Sequence, residues 1–304
     1  MLEITHLRHI SLITPNLEEQ IEFYRDVWGL DVVSQDDNHV YFRGSSPEHH
    51  ILHLQRGEKR GLHHIAFGMV DKIAVDKAAV FLEEKGVEII KQPGYLDEVG
   101  GGYGLRFVDY ENRCFELSTW VDIHTEPWQR KVDSNPLYLN HIVLNTTDIQ
   151  RSTDFFTEVL GFMVSDWSED QMVFLRCDKN HHEISFNRAE HASVNHIAYE
   201  VEGVDEVMRG IGNVRKKGYK EIWGPGRHGP GNNIFCYFQD PGGFVMEYTC
   251  YVDVIEDKKT WRAQVWKRVP HLSDRWGIAG PPTPETRAKM AGEPDPGWAL
   301  VNTK

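Results

Sequence analysis

The sequence predicts an α+β protein in which four βαβββ units form two tandem barrel-like domains. Two observations lead to this prediction. The second half of the chain repeats the first, and each half runs twice through the same order of strand, amphipathic segment and short strands. A single unit of this kind cannot close its sheet, so pairs of units are expected to curve around a shared cavity.

The repeat keeps its register through the greater part of each half. A shift of 132 positions aligns histidines and aromatic residues, and after one deletion the shift becomes 131. The aligned pairs are His9 with His141, Phe23 with Phe155, His50 with His182, His64 with His196, Asp109 with Asp240, and Glu116 with Glu247. Chance matches do not hold such a register, which indicates a tandem duplication.

Local patterns place the elements of the first half. A strand, an amphipathic segment and three alternating strands come first, and a strand, a helix and three further strands follow. The predicted positions are residues 7–14, 17–28, 31–34, 39–42, 51–54, 63–70 and 74–85, with the last strands near Glu88, Leu105 and Phe115. Asn16 and, in the second half, Asp148 stand where a helix N-cap is expected.

These patterns divide the chain into three parts. We expect a non-catalytic barrel domain over residues 1–132, a catalytic domain over 133–256 and a C-terminal arm over 257–304, with the joint near Thr125 to Pro136. The arm holds four of the nine tryptophans, which argues against a free disordered tail. The arm is therefore expected to lie on the body of the protein or on a partner subunit, as an arm or as a lid over the cavity.

The composition excludes several classes of partner. The net charge of −13 argues against nucleic acid or an anionic membrane surface. The sequence shows neither a secretory leader pattern nor an apolar run of about 18 residues. Its four cysteines show no CxxC spacing, which is typical of a reducing cytoplasm. We expect a cytoplasmic homo-oligomer that acts on a small molecule.

The stretch from Gly224 to Tyr248 predicts a hairpin that carries much of the polar chemistry of the chain. The segment 239–243 contains Asp-Pro-Gly-Gly, a pattern that predicts a tight turn between two strands. Residues of one parity share a face of such a hairpin, so Tyr237 and Glu247 can point into one cavity.

Three residues of metal-binding type lie on three separate predicted strands. His141 and His196 stand at equivalent positions of the strands that open the two units of the second half, and Glu247 stands on the last strand. A single histidine on an apolar strand is more often a core residue, but the equivalent positions and the added carboxylate favour a metal site. Two imidazoles and one carboxylate leave coordination positions open, as in non-haem Fe(II) enzymes that activate oxygen.

Up to about residue 255, the chain resembles the type I extradiol ring-cleavage dioxygenases of the vicinal oxygen chelate superfamily. The family pattern joins G-x-H, a tyrosine, D-P-x-G and a glutamate. The matching residues here are Gly226, His228, Tyr237, Asp240, Pro241, Gly243 and Glu247. Cys236 departs from the pattern, which usually has an aliphatic residue or Phe there. The departure is small, because a reduced cysteine behaves as a small hydrophobic side chain.

The resemblance implies a reaction and assigns residues to it. The implied reaction cleaves a catecholic ring next to the diol with O2 as co-substrate and gives a yellow 2-hydroxymuconate-semialdehyde-type product. The implied metal is Fe(II), with Mn(II) as the second choice, because the same ligands accept both. The diol must lose a proton, for which histidine is the usual base near neutral pH. The implied metal ligands are His141, His196 and Glu247, and the implied catalytic residues are His182, His228 and Tyr237.

Substrate contacts are expected from Val143, Phe174, Trp223 and Arg227. The first two are closer to the residues of biphenyl-diol enzymes, and Trp223 stands where homoprotocatechuate enzymes carry an arginine. The resemblance therefore favours an apolar aromatic diol. Arg227 or an arginine of the arm keeps an acidic substrate open.

The first half repeats the ligand set with changed neighbours. His9, His64 and Glu116 reproduce the three ligands, and His50 reproduces the acid/base histidine. Arg106, however, replaces the tyrosine, and Asp97 roughly replaces the loop histidine. These changes favour a vestigial or structural site, and a second metal is the alternative.

Two other functions remain open. A glyoxalase-like isomerase or transferase shares the fold, but such enzymes usually have more carboxylate or amide ligands and lack the pair of His182 and Tyr237. A non-enzymatic metal- or ligand-binding module would not need open coordination positions beside an acid/base histidine.

Overall fold

The computed structural model describes residues 2–126 and 134–298, and it contains one β-sheet from each half of the chain. The sheet of the first half has eight strands: β1 (Ile4–Thr14), β2 (Asp31–Gln35), β3 (His39–Arg43), β4 (Leu52–Arg56), β5 (Gly61–Met69), β6 (Ile89–Tyr95), β7 (Tyr103–Val108) and β8 (Cys114–Thr119). Their order across the sheet is β2-β3-β4-β1-β5-β8-β7-β6. The predicted strands are confirmed, with bounds that differ by one to three residues.

The sheet of the second half repeats this topology and adds one strand from the arm. Its strands are β9 (Leu139–Thr146), β10 (Met163–Ser168), β11 (Met172–Arg176), β12 (Ile184–Arg188), β13 (Ser193–Glu200), β14 (Trp223–Arg227), β15 (Ile234–Gln239), β16 (Val245–Cys250) and β17 (Gln264–Trp266). The order is β14-β15-β16-β13-β9-β12-β11-β10-β17. The predicted α+β fold of four βαβββ units is therefore confirmed.

Helices cover the outside of the sheets and part of the cavity. They are α1 (Leu17–Phe23), α2 (Lys72–Glu84), α3 (Ile149–Asp154), α4 (Val204–Lys216), α5 (Pro270–Ser273) and α6 (Pro284–Ala291), and single π-helical turns over Tyr24–Trp28 and Phe155–Val159 continue α1 and α3. Asp148 caps α3, since its carboxylate accepts from Arg151 N at 3.0 Å. Asn16 stands at the N-cap position of α1, as predicted, but its side chain does not cap the helix. Its Nδ2 donates to Pro241 O at 2.9 Å and joins the two halves instead.

The pairing at the centre of the second sheet positions the predicted ligands. β9 and β13 pair antiparallel, and β13 and β16 pair parallel, so three neighbouring strands carry the three ligand-type residues. Ala198 of β13 is paired with His141 on one side and with Glu247 on the other. The hairpin of β15 and β16 places Tyr237 opposite Glu247, as predicted.

The described part of the arm packs against the second half. β17 pairs parallel with β10. Thr283 caps α6, because its Oγ1 accepts from Thr286 N at 3.1 Å. The predicted joint and the domain boundary between residues 132 and 133 fall on residues 127–133, which lie outside the described residues. All four cysteines are free thiols, and no helix of the described chain is long and apolar enough to cross a membrane.

Aromatic side chains of the first half pack into the core of the second. The fully buried ring of Trp28 stacks on Tyr248 with ring centroids 3.7 Å apart, and Tyr248 Oη donates to Trp28 O at 2.8 Å. Gln20 and Tyr24 both donate to the Asp240 carboxylate across the same interface. The two halves therefore share one hydrophobic core.

Trp28→Ala should lower the free energy of unfolding by about 3–5 kcal/mol, because it leaves a cavity in this shared core. The matched control is Trp276→Ala, whose side chain is partly exposed and which should change the free energy of unfolding by roughly 1 kcal/mol or less. Urea denaturation followed by circular dichroism measures both. Equal losses in the two variants would contradict the shared-core interpretation.

Candidate metal centre and substrate cavity

The three predicted ligands meet in the buried interior of the second domain. His141 Nε2 and His196 Nε2 each lie 3.3 Å from Glu247 Oε2. All three side chains are buried, and burial lowers the pKa of His196, which favours the neutral imidazole that a metal requires.

Two asparagines orient the imidazoles towards the carboxylate. Asn140 Oδ1 lies 2.7 Å from His141 Nδ1, and Asn195 Oδ1 lies 2.8 Å from His196 Nδ1. An amide oxygen only accepts, so each Nδ1 carries the proton and each Nε2 keeps a bare lone pair. Both lone pairs therefore point at the same carboxylate.

The donor set fits a divalent metal ion. Glu247 Oε1 accepts from Asn233 Nδ2 at 3.0 Å, but the buried Oε2 has no hydrogen-bond partner among the described residues. Three acceptor atoms that face one another repel unless a cation lies between them. Their separation of 3.3 Å suits neighbouring ligands with bonds of roughly 2 Å to one ion.

His228 and Tyr237 form a hydrogen-bonded pair beside this site. His228 Nδ1 lies 3.0 Å from Ser273 O, and His228 Nε2 lies 2.9 Å from Tyr237 Oη. Because a carbonyl only accepts, Nδ1 donates and the tyrosine hydroxyl donates to Nε2. Burial lowers the pKa of His228 to about 4 and raises the pKa of Tyr237 well above its usual value, so both groups are neutral at neutral pH.

His182 lies against the ligand His141, with ring centroids 4.3 Å apart. Its Nδ1 is 3.0 Å from His181 Nδ1, and His181 Nε2 is 3.1 Å from Asp166 Oδ2. The carboxylate accepts from His181 Nε2, and with the ring proton of His181 on Nε2 its Nδ1 accepts from His182 Nδ1. This chain leaves His182 Nε2 as the bare nitrogen. Burial lowers the pKa of His182 well below its usual value.

A cavity of about 520 Å³ opens from the ligands towards the arm. Three of the four predicted substrate contacts line it: Val143, Phe174 and Trp223. Arg227 is not among the described lining residues. Its Nε instead donates to Asn232 O and Oδ1, each at 3.0 Å.

The outer part of the cavity is lined by arginines, two of which come from the arm. Arg188, Arg268 and Arg287 all line it. Burial, and then the nearby positive charge of Arg287, lowers the pKa of Arg268. Neither Arg268 nor Arg287 forms an ion pair with a described residue. The cavity is therefore apolar near the ligands and basic farther out.

The first half contains a similar cluster, in which an arginine side chain supplies a positive charge. His9 Nε2 lies 2.9 Å from His64 Nε2, and His64 Nε2 lies 3.7 Å from Glu116 Oε2. Arg106 stands opposite Glu116 in the pairing of β7 and β8, and its Nε donates to Glu116 Oε2 at 2.9 Å. A guanidinium therefore neutralises the carboxylate here.

Two further differences separate the first half from the second. The acidic residue that joins the cluster is Glu98, one position after the predicted Asp97. The asparagines that orient the ligands are also missing, because Arg8 precedes His9 and His63 precedes His64.

Sequence analysis missed the residues that orient the site. Asn140, Asn195 and Asp166 were not predicted to have a role. The first two were detectable, because an asparagine precedes the histidine in both LNHIVLNT and VNHIAYEV. Asp166 gave no local signal, since it reaches His181 only through the pairing of strands.

Comparison with known families agrees with this fold. The family model described as Glyoxalase/Bleomycin resistance protein/Dioxygenase superfamily matches residues 6–104 and 138–248. These residues make up more than half of the chain, and the chain therefore belongs to this superfamily.

Three similar proteins carry names of two reaction types. Metapyrocatechase 2 of Cupriavidus necator is 34% identical over 84% of this chain and 83% of that protein. A manganese-dependent 2,3-dihydroxybiphenyl 1,2-dioxygenase of Geobacillus genomosp. 3 is 28% identical over 79% of this chain and 82% of that protein. The crystal structure of a Mn(II)-bound glyoxalase from Novosphingobium aromaticivorans is 36% identical with a TM-score of 0.91, over 98% of this chain and 97% of that chain.

Proposed function

We propose that this protein is a metal-dependent extradiol dioxygenase that cleaves a catecholic ring next to its diol. One observation carries the proposal. A metal site with open positions shares its cavity with an oriented base, His182, and with the neutral pair of His228 and Tyr237. The similarity to a metapyrocatechase and to a dihydroxybiphenyl dioxygenase supports this reaction type.

The proposed metal ligands are His141, His196 and Glu247. These three side chains would hold a divalent ion, which would supply positive charge to stabilise a deprotonated diol. We propose Fe(II), with Mn(II) as the alternative, because imidazole and carboxylate donors accept both ions. One similar protein is named as manganese-dependent, which keeps the alternative in view.

The remaining residues handle protons. The bare Nε2 of His182 takes a proton from a diol hydroxyl and returns it later in the reaction, while Asp166 and His181 hold the ring in place. His228 holds the Tyr237 hydroxyl beside the site, and the oxygen of that hydroxyl can accept a hydrogen bond from a diol hydroxyl. Both atoms of O2 enter the ring-opened product, so the reaction needs no external reductant.

The cavity favours an aromatic diol whose substituent points outwards. Val143, Phe174 and Trp223 supply an apolar lining for the ring. The guanidinium groups of Arg268 and Arg287, which form no ion pair with a described residue, favour a negatively charged substituent at the outer end. The apolar ring that the sequence favours fits the inner part of the cavity. The acidic substituent, which is the alternative, fits the outer part.

A glyoxalase-like isomerisation is the second candidate, because the similar crystal structure is named as a glyoxalase. The two reactions differ in their use of oxygen. Ring cleavage consumes O2, whereas isomerisation of a thiol adduct does not. Oxygen uptake therefore separates the candidates directly.

The function is tested with protein that is prepared without oxygen and loaded with Fe(II) or Mn(II). We expect catechol, methylcatechols, 2,3-dihydroxybiphenyl or homoprotocatechuate to consume one O2 per diol and to form a yellow product. His182→Ala should lower kcat by about 10²–10⁴-fold while its metal content stays unchanged. Bound metal without oxygen uptake on any diol, together with isomerisation of a hemithioacetal, would favour the glyoxalase-like reaction.

We propose that only the second half binds metal, because Arg106 already supplies a positive charge beside Glu116. The variant with His141→Ala and Glu247→Ala should therefore contain no bound metal by elemental analysis. The matched variant with His9→Ala and Glu116→Ala should keep one ion per chain. Metal that remains in the first variant would instead assign a second site to the first half.

Replacing Arg268 and Arg287 by methionine should weaken the use of acidic substrates. Each charge-assisted hydrogen bond contributes about 1.5–3 kcal/mol, so kcat/KM for homoprotocatechuate should fall at least tenfold. The value for 4-methylcatechol should change less than threefold. Arg262→Met, on an exposed part of the arm that does not line the cavity, is the control. Equal losses on both diols would contradict an anion-binding role.

A further inference from the structure

We propose that the C-terminal arm is an integral part of the metal centre. In this proposal α6 fixes the ligand His196 through Asn145 and Asn195, so that docking of the arm and binding of the metal strengthen each other. The inference rests on the metal site proposed above. It concerns the outer hydrogen bonds of one ligand and the segment that controls them.

The chain of hydrogen bonds starts at backbone carbonyls of α6. Asn145 Nδ2 donates to Met290 O at 2.9 Å and to Ala291 O at 3.2 Å. Ser193 Oγ also donates to Ala291 O, at 2.7 Å, and accepts from Asn145 Nδ2 at 2.7 Å. Because carbonyls only accept, the amide of Asn145 has one allowed orientation while the arm is docked.

That orientation decides the next amide. The oxygen of the fully buried Asn145 faces the interior and accepts from Asn195 Nδ2 at 2.9 Å and from Asn187 Nδ2 at 2.8 Å. Asn195 must therefore use its nitrogen towards Asn145. Its oxygen is left to face the ligand.

The last step sets the tautomer of the ligand. Asn195 Oδ1 lies 2.8 Å from His196 Nδ1, which consequently carries the proton and leaves Nε2 bare for the metal. If the arm leaves, Asn145 and Asn195 lose this constraint. A flipped Asn195 would present its nitrogen to Nδ1 and favour the tautomer with a proton on Nε2, which cannot bind metal.

The other histidine ligand provides an internal comparison. Asn140 orients His141 in the same way, but Asn140 Nδ2 donates to Glu200 Oε2 at 2.8 Å. Glu200 belongs to β13, and no described residue of the arm takes part in these two hydrogen bonds. The two ligands are thus held by matched amides, and only one of them depends on the arm.

Several contacts hold α6 at the position where this series of hydrogen bonds begins. Met290 is buried against Phe235, Tyr237 and Val245. Thr286 Oγ1 donates to Ile222 O at 2.8 Å. Two sites that share such a chain are linked in both directions, so metal should stabilise the docked arm by the same factor by which the docked arm strengthens metal binding.

The first test measures metal affinity in the full-length chain by competition with a chelator, without diol or oxygen. Asn145→Leu and Asn195→Leu should each weaken Mn(II) binding about 10–100-fold, as expected for the loss of a ligand-orienting partner. Met290→Glu, which places a carboxylate in the apolar contact of α6, should weaken it by a similar factor. Ala288→Glu makes a comparable change on an exposed face of α6 and should leave the affinity unchanged.

The second test measures hydrogen exchange of the α6 amides with and without Mn(II). Metal should slow this exchange at least tenfold in the wild type and in Asn140→Leu at saturating metal. It should have no effect in Asn145→Leu. A purely structural role of Asn145 would speed exchange equally in both states and would overturn the proposal.

The outcomes separate this inference from the function on which it rests. If wild-type protein binds Mn(II) through His141 but Met290→Glu binds it equally well, the coupling is wrong and the metal site stands. If the wild type binds no divalent metal, both the site and the coupling are wrong.

Discussion

Three buried acceptor atoms repel one another at the centre of the second domain, and this repulsion is the main constraint on its structure. Two imidazole lone pairs and one carboxylate oxygen face one another at His141, His196 and Glu247, in an interior that water does not solvate. Folding brings these atoms together because adjacent strands carry them, and amides hold them there. A cation between them would replace this repulsion with attraction, so the arrangement of the three acceptor atoms favours metal binding.

The two halves of the duplication differ in the side chain that lies opposite the buried carboxylate. In the first half Arg106 lies where Tyr237 lies in the second, and its guanidinium provides a permanent positive charge beside Glu116. In the second half the neutral tyrosine leaves the charge of Glu247 uncompensated. The exchange of one side chain thus distinguishes a cluster with its own positive charge from the cluster that we propose to bind an ion. The shared core explains why the first half is retained, since Trp28 packs against Tyr248.

The arm forms part of the wall of the cavity. It supplies basic residues to the outer wall, a carbonyl to His228, and hydrogen bonds to both orienting chains. Trp266 Nε1 donates to Asp166 at 2.6 Å, so the chain that holds His182 also ends on the arm. The proposed acid/base residue and one proposed metal ligand therefore both receive hydrogen-bonded support from the same segment. Hydrogen bonds thus link the arm, at the surface of the protein, to the buried candidate site.

Local pattern was enough to predict the repeat, the four units and the candidate ligand set. These features follow from residue spacing and from the two-residue period of strands, which are properties of neighbouring positions in the chain. The N-cap at Asp148 was predictable for the same reason, whereas the side-chain partner of Asn16 was not, because a carbonyl of the other half competes for its side chain. The resemblance to known motifs added the roles of His182, His228 and Tyr237.

Only the tertiary structure decided how the ligands are oriented and what surrounds them. Asn145 and Asp166 act through partners about a hundred or more residues away, on the arm, and no spacing rule reports such contacts. The position of Arg227 outside the cavity lining depends in the same way on its bond to Asn232, which only the folded loop reveals. Sequence periodicity records which face of a strand is buried, but the hydrogen-bond partners of a buried polar group are chosen by the packing of distant segments.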